Sequence, residues 1–377
     1  MTLQFPRIPR SNAAAFAVVS ALALAHGDRA GAEGGELKGT VTWSGLVYLD
    51  RDVVVPEKAT LIIKPGTVIL AQSGKDAADK GRHPDLVEIR VLGSLKAEGT
   101  AKDPILFTAV EKPPTSGSKA VRNDDGTIAV GEFRIDPKRP LANSRWGGIF
   151  FEAKSTGALK HCQISRADSG VFAADSAPIL KDCVVFECDT GIQGGTGSKF
   201  VAMNGSHAVD GCHVFRCAHG LYFINGGNPK ITDTAIVDCG IGFGYLGRGN
   251  PTVDHCIIAK AKIGVENRTM QSSAYTSTVF AECKTSISVW IDEKPSLDPF
   301  KGKLVCDSNA FPESGNAIWT YTDSEYAVAL LPKWMPNTGS ARSNSASRTT
   351  SIPPMAIGGW SKIRPSSKRG SRAPPSV

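Results

Sequence analysis

Asp168 and Asp189, with Arg166 just before the first and Arg216 beyond the second, are the side chains whose types and spacing most invite chemistry. Carboxylates so placed can hold Ca²⁺ against an anionic sugar, and an arginine can act as a base beside them. That is the set that elimination chemistry on a polyuronate needs. Two like charges one strand spacing apart are unfavourable unless a cation, a basic neighbour or a raised pKa relieves them, and Arg166 and Arg216 could supply that relief. The plainer reading is a solvated acid pair. Asp168, Asp189, Arg166 and Arg216 are therefore the candidate binding residues, with Asp168 and Asp189 as weak calcium ligands. No catalytic residue is assigned, and no other cofactor is evident.

Other reactive side chains lead less far. Nine cysteines in one chain suggest disulfides, and Cys183, Cys188, Cys212 and Cys217 could be read as a four-thiolate metal site. Asp124 and Asp125 form a carboxylate pair in a polar loop, and the seven histidines are scattered. There is no serine–histidine–aspartate nucleophile signature, phosphate-binding glycine loop or metal-binding histidine pair.

The elements that must position these groups follow from an internal repeat. Taking Cys162, Cys183, Cys212, Thr234, Cys256 and Thr278 as anchors, the spacings are 21, 29, 22, 22 and 22 residues. Two positions later stand Ile164, Val185, Val214, Ile236, Ile258 and Phe280. Five later come Ala167, Cys188, Cys217, Cys239, Ala261 and Cys283. Eight later come Gly170, Gly191, Gly220, Gly242, Gly264 and Ser286, each followed by an apolar residue. Three before the anchor are Leu159, Leu180, Val209, Ile231, Val253 and Tyr275.

Alternating apolar and polar residues over short β-prone segments predict strands with one buried face. Copies of about 22 residues are too short to bury that face alone and must stack. The glycine column suits a positive φ or a tight bend. Eight of the nine cysteines fall in two interior columns, with Cys306 outside them, so thiol ladders are a simpler account than disulfides. The column Arg166, Glu187, Arg216, Asp238, Lys260, Glu282 alternates in sign and should point outward, each charge meeting its opposites above and below. In this frame Asp168 and Asp189 share a face on adjacent rungs.

The chain resembles the pectin-lyase-like right-handed β-helix proteins over residues 36–310. Thr42-Trp43-Ser44-Gly45, Val53-Val54-Val55-Pro56 and Pro65-Gly66-Thr67-Val68-Ile69 look like that group's capping strand and first coil. Val91-Leu92-Gly93-Ser94-Leu95 and Trp146-Gly147-Gly148-Ile149 look like later ones. The resemblance implies an all-β, right-handed single-stranded parallel β-helix of roughly 9–10 coils. It does not choose among lyases, glycosidases, epimerases and adhesins. The motif sets of the pectin-hydrolysing glycosidases and of the alginate epimerases are missing.

The ends differ from the body. Arg7 and Arg10, the apolar run Ala13–Ala25 and two small-x-small sites read as a secretory signal over residues 1–32, too short an apolar run to span a bilayer. Residues 33–310 read as the β-helix domain, with clear repeats over 159–287, and 311–337 as a cap or linker. Residues 338–377, with seven Lys or Arg and no acid among Ser, Pro and Gly, read as a disordered tail. Without both ends the net charge of +7 falls to 33 basic against 35 acidic residues, so no nucleic-acid partner is expected. Insertions at Ala71–Leu86, Glu111–Asn143 and near Gly194–Ala208 interrupt the coils and are natural places for function. The expectation is a secreted, periplasmic or extracellular protein that binds carbohydrate or associates with the cell envelope, with a uronate polysaccharide lyase or related enzyme as the alternative. Whether it is a monomer or an oligomer stays open.

Overall fold

The computed structural model describes residues 32–321, apart from 75, 77–80, 126, 132, 136–144, 196–206, 226, 270, 291–303 and 313–315. The expected secretory signal (save Ala32), the basic tail and most of the 311–337 segment lie outside the described residues, as do parts of all three insertions. Every named element within them is a strand, and no helix there is long and apolar enough to cross a membrane.

Each coil carries three short strands, as in Lys230–Thr232, Ala235–Val237 and Ile241–Gly247. The next coil repeats them in parallel register: Ile231 faces Val253, Ile236 faces Ile258 and Phe243 faces Val265. Stacking these triplets makes three lateral faces. The first is a ten-stranded sheet running from Thr40–Trp43 to Leu304–Asp307. The second and third are joined into one sheet, because the long strand Leu46–Val55 starts on one and ends on the other. On the third face the stack continues to Asn316–Tyr321, paired with Thr285–Trp290. This is a parallel β-helix. Its interior is one apolar cluster of the columns that the repeat predicts, each residue nearly or wholly buried.

Each coil turns at three corners, and the two flanking the second face use the left-handed backbone region. The residue before each anchor has positive φ (His161, Asp182, Gly211, Asp233, His255, Ser277), and so does every member of the alternating charge column, with φ of 53–58°. The residue after each corner points inward and is small. At the anchor column Cys183 Sγ and Cys256 Sγ donate to the carbonyl two residues back at 3.3 and 3.2 Å, as Thr234 and Thr278 hydroxyls do at 2.8 and 2.9 Å. The second cysteine column repeats the pattern, with Cys188 Sγ 3.4 Å from the Phe186 carbonyl. Cys and Thr thus interchange because each is compact and carries a donor for a carbonyl that the corner leaves inside. All nine cysteines are buried and free. Cys306, outside the two columns, sits beneath Tyr275 in the first-face column.

The glycine column has a different cause from positive φ. None of Gly170, Gly191, Gly220, Gly242 and Gly264 is left-handed. A Cβ at Gly220 would lie 2.5 Å from the Gly242 carbonyl oxygen and 2.7 Å from Ile236 Cγ2, and the same approach recurs along the column. Rungs meet too closely there for any side chain.

The charge column also departs from expectation at its N-terminal end. Arg166 is buried, 3.7 Å from Glu187 and with Nη1 3.4 Å from the Ala109 carbonyl, while Asp238, Lys260 and Glu282 are exposed. The alternation does pair charges: Glu187 also takes Arg216 at 2.9 Å. The insertion after residue 110 forms a three-stranded antiparallel sheet, Ala120–Arg122, Ile128–Val130 and Phe133–Ile135. It buries Ile128, Val130 and Ile135 on the outer side of Leu46, Val68, Leu70 and Leu106, making a second apolar core. Asp125, one of the carboxylate pair, holds its turn through Thr127 and Arg134.

Gly220→Ala should destabilise the chain by about 1–3 kcal/mol through overpacking against backbone, read as a lower urea midpoint. An unchanged midpoint would contradict the close approach.

Candidate functional site

On the third face one outward row crosses the stack: Arg90, Phe150, Phe172, Gln193, Tyr222, Gly244, Glu266 and Ser288 are successive register partners. Neighbours along it are about one strand spacing, 4.8 Å, apart. A parallel sheet with an exposed face usually needs cover, and here the cover is partial. Phe150 and Phe172 point outward yet are buried, because the turn after Gly81 lies over them. Arg82 stands 3.8 Å from the Phe172 ring centroid and 5.8 Å from that of Phe150, and the His83 ring is 6.0 Å from Phe150. Gln193 and Tyr222, beyond the turn, are half-buried and open outward.

The acids identified from sequence flank this row. Asp168 lies 3.2 Å from His83 Nε2, and Asp189 is paired with Arg145. Ser169 bridges inward, its hydroxyl 3.4 Å from Asp168 and 3.3 Å from Gln193 Oε1. The bond to Asp189 raises the Arg145 pKa. Arg166 and Arg216, expected to relieve the acids, do not: both are turned to Glu187, and Arg216 also lies 4.8 Å from the Phe215 ring centroid on the second face. The acid pair and the arginine pair thus occupy opposite sides of one corner. Relief comes from His83 and Arg145, which the insertions deliver from outside the repeat.

Further along the row, the Tyr222 ring lies across Gly244, where a Cβ would come within 2.3 Å of it. The His219 ring packs on Tyr222 at 5.1 Å. Burial, then the charge of Glu266, raises the Tyr222 pKa, and Glu266 is held by Arg268 at 2.6 Å. Nothing in sequence spacing singles out Tyr222, since its partners in the column are of unlike type.

Chemically the row offers aromatic faces, an amide, a hydroxyl and a margin of paired charges. That suits the mixed apolar and hydroxyl surfaces of a sugar chain. His83 and Arg145 are both engaged by carboxylates. Among the described residues no group of three His, Cys, Asp or Glu side chains converges to hold a metal ion. The thiols are shut off as well. Neighbouring thiols and burial raise those of Cys183, Cys212, Cys217 and Cys239, and burial pushes Cys256 up to about 11.

Comparison with known proteins bears on the class. Residues 141–279 match the family described as the right-handed β-helix region, and the fold is accordingly a right-handed parallel β-helix. No curated protein matches the sequence. Among solved structures, a mutant of the periplasmic alginate epimerase AlgG is similar, with 10% identity over 76% of each chain and a TM-score of 0.35. The A-module of the Azotobacter vinelandii mannuronan C-5 epimerase AlgE6 is similar at 9% identity, over 74% of this chain and 92% of that one, with a TM-score of 0.29.

The covering turn makes the two charged contacts unequal. Arg82→Ala uncovers two apolar rings and should cost about 1–2 kcal/mol. His83→Ala removes only a part-exposed pair worth about 0–1 kcal/mol. Urea unfolding of the two variants checks the order, and a reversed order would contradict the covering role.

Proposed function

We propose that this chain is an exported, non-catalytic glycan-binding β-helix that takes a sugar chain along the open part of the third face, at Gln193 and Tyr222. The observation that carries this reading is the row itself. Two aromatic residues, Phe172 and Tyr222, flank an amide at strand spacing, on a rigid sheet edged by the Asp168–His83 and Asp189–Arg145 pairs. An extended glycan laid across the rungs meets one such residue per strand. Aromatic faces take the C–H side of a sugar ring, and the amide and flanking charges take its hydroxyls. Because the sheet is preformed, little ordering entropy is lost on binding.

Calcium is not part of this reading, since Asp168 and Asp189 are each already engaged by a protein side chain, His83 and Arg145. Export rests on the leader-like pattern of residues 1–32, and a cell-envelope glycan is the partner that fits it.

The test is a glycan array followed by calorimetry on the best binder. Tyr222→Ala should weaken binding by about three- to tenfold, while Lys181→Ala, on the first face, should leave it unchanged. Unchanged affinity in the Tyr222 variant would overturn the site. Release of ultraviolet-absorbing unsaturated products from pectate, alginate or glycosaminoglycans would overturn the non-catalytic reading in favour of a lyase.

A further inference from the structure

Beneath the turn that covers Phe150 and Phe172 lie three acids. Asp52 and Glu88 sit opposite each other on adjacent rungs, one residue before the paired Val53 and Ile89. Asp52 is 4% exposed, Glu88 0% and Asp76 8%. Most of their oxygens are spoken for. Glu88 accepts the backbone N–H of Arg82 at 3.0 Å and of His83 at 2.7 Å, one on each oxygen. Asp52 Oδ1 accepts the N–H of Glu88 at 2.8 Å, and Asp76 Oδ1 accepts that of Asp52 at 3.2 Å. Asp52 Oδ2 is fully buried with no partner. It points at Gly81: a Cβ there would lie 2.6 Å from Asp52 Oδ2 and 2.7 Å from Glu88 Oε2. Gly81 is left-handed with φ +97°, and this turn admits no side chain.

A buried carboxylate oxygen with no donor is costly unless it carries a proton. Among the described residues, the cations nearby are turned to other partners. Arg90 is turned to Glu152 at 3.1 Å, Arg51 to Asp50 at 2.8 Å, Arg82 to the Phe172 ring, and His83 to Asp168. The charges of Asp76 and Glu88 raise the cost of a charge on Asp52. With no convergent metal-ligand set among the described residues, the cation that fits is a proton.

We propose that one proton held between the Asp52 and Glu88 carboxyls latches the Gly81–Leu86 turn over the third-face row, and that its loss releases the turn and uncovers Phe172. Protonated at Oδ2, Asp52 becomes a donor, and Glu88, fixed by two turn amides, is the anion that receives it. The turn hangs on Glu88 through those amides, so a second full charge at Asp52 strains the contact that holds it. Release would also free Asp168 from His83 and extend the open row by two aromatic positions. The effect on glycan binding rests on the function proposed above; the latch does not.

The pH range follows from the folded and unfolded states. Burial, and then the charges of Asp76 and Glu88, raise Asp52 to about 7, whereas an unfolded aspartate titrates near ~4. Between those values the folded chain holds a proton that the unfolded chain lacks. Stability therefore falls as pH rises through that window and levels above it.

Hydrogen exchange on the full chain, without glycan, tests this at the amides of Arg82 and His83, corrected for intrinsic exchange. Protection should fall about tenfold per pH unit between ~4 and about 7 and level above, and Asp52→Asn, which keeps the shape and a donor, should make it pH-independent. Flat protection in the native chain overturns the latch, as does restoration of protection at pH 8 by Ca²⁺, which would make the cluster a metal site. Should Asp52→Asn not fold, infrared spectra of the native chain decide. A protonated-carboxyl band lost with a midpoint near 7 supports the latch, and its absence overturns it. A working latch in a protein that binds no glycan would leave the latch standing and remove the proposed function.

Discussion

No coil of this protein can bury its own apolar residues, so everything depends on register between neighbours. A strand such as Ile257–Ala259 places one residue, Ile258, inside. Its neighbours above and below supply most of what that residue touches, and their carbonyls and amides complete its hydrogen bonds. A slip of one residue would turn every interior column outward. The two left-handed corners keep register by fixing where each strand begins, and the small donor-bearing residue after each corner closes the carbonyl left inside. Glycine is forced where rungs touch. Residues that look reactive in sequence, the cysteines above all, are occupied by this requirement.

Function is then confined to what stacking leaves over. The second and third coils depart from the repeat at the corner between the second and third faces, where the insertions at Ala71–Leu86 and Glu111–Asn143 emerge. One builds a hairpin sheet over the second face and the other folds its Gly81–Leu86 turn over the third. The Ala71–Leu86 insertion also brings in His83, and Arg145 stands just after the Glu111–Asn143 insertion; these two face the acids. The result is a row covered at Phe150 and Phe172, open at Gln193 and Tyr222, and buried again at Glu266 and Ser288.

The interior columns were legible in the sequence because burial repeats with the coil, and the same frame set Asp168 beside Asp189. What it could not reveal breaks the period. His83 lies in one insertion and Arg145 just after another, so no spacing links them to their partners. Arg166 falls in a column whose later members are exposed, and periodicity alone does not show that the strand Ile105–Val110 lies over it. Asp52 and Glu88 are 36 residues apart because the insertion lies between them, and no other rung repeats that distance. Cys306 was hidden for the same reason, its coil being offset from the preceding ones. The glycine column was visible while its cause was not, since a sequence shows where side chains are missing but not what would strike them.

The account rests on the interior columns being packed, reduced and closed to solvent. Thiol titration of the full chain with an aromatic disulfide reagent measures this directly, first native and then in denaturant without reductant. The account predicts nine thiols on unfolding and no fast-reacting thiol in the native state. Fewer than nine on unfolding, or a thiol that reacts at once in the folded chain, would contradict it.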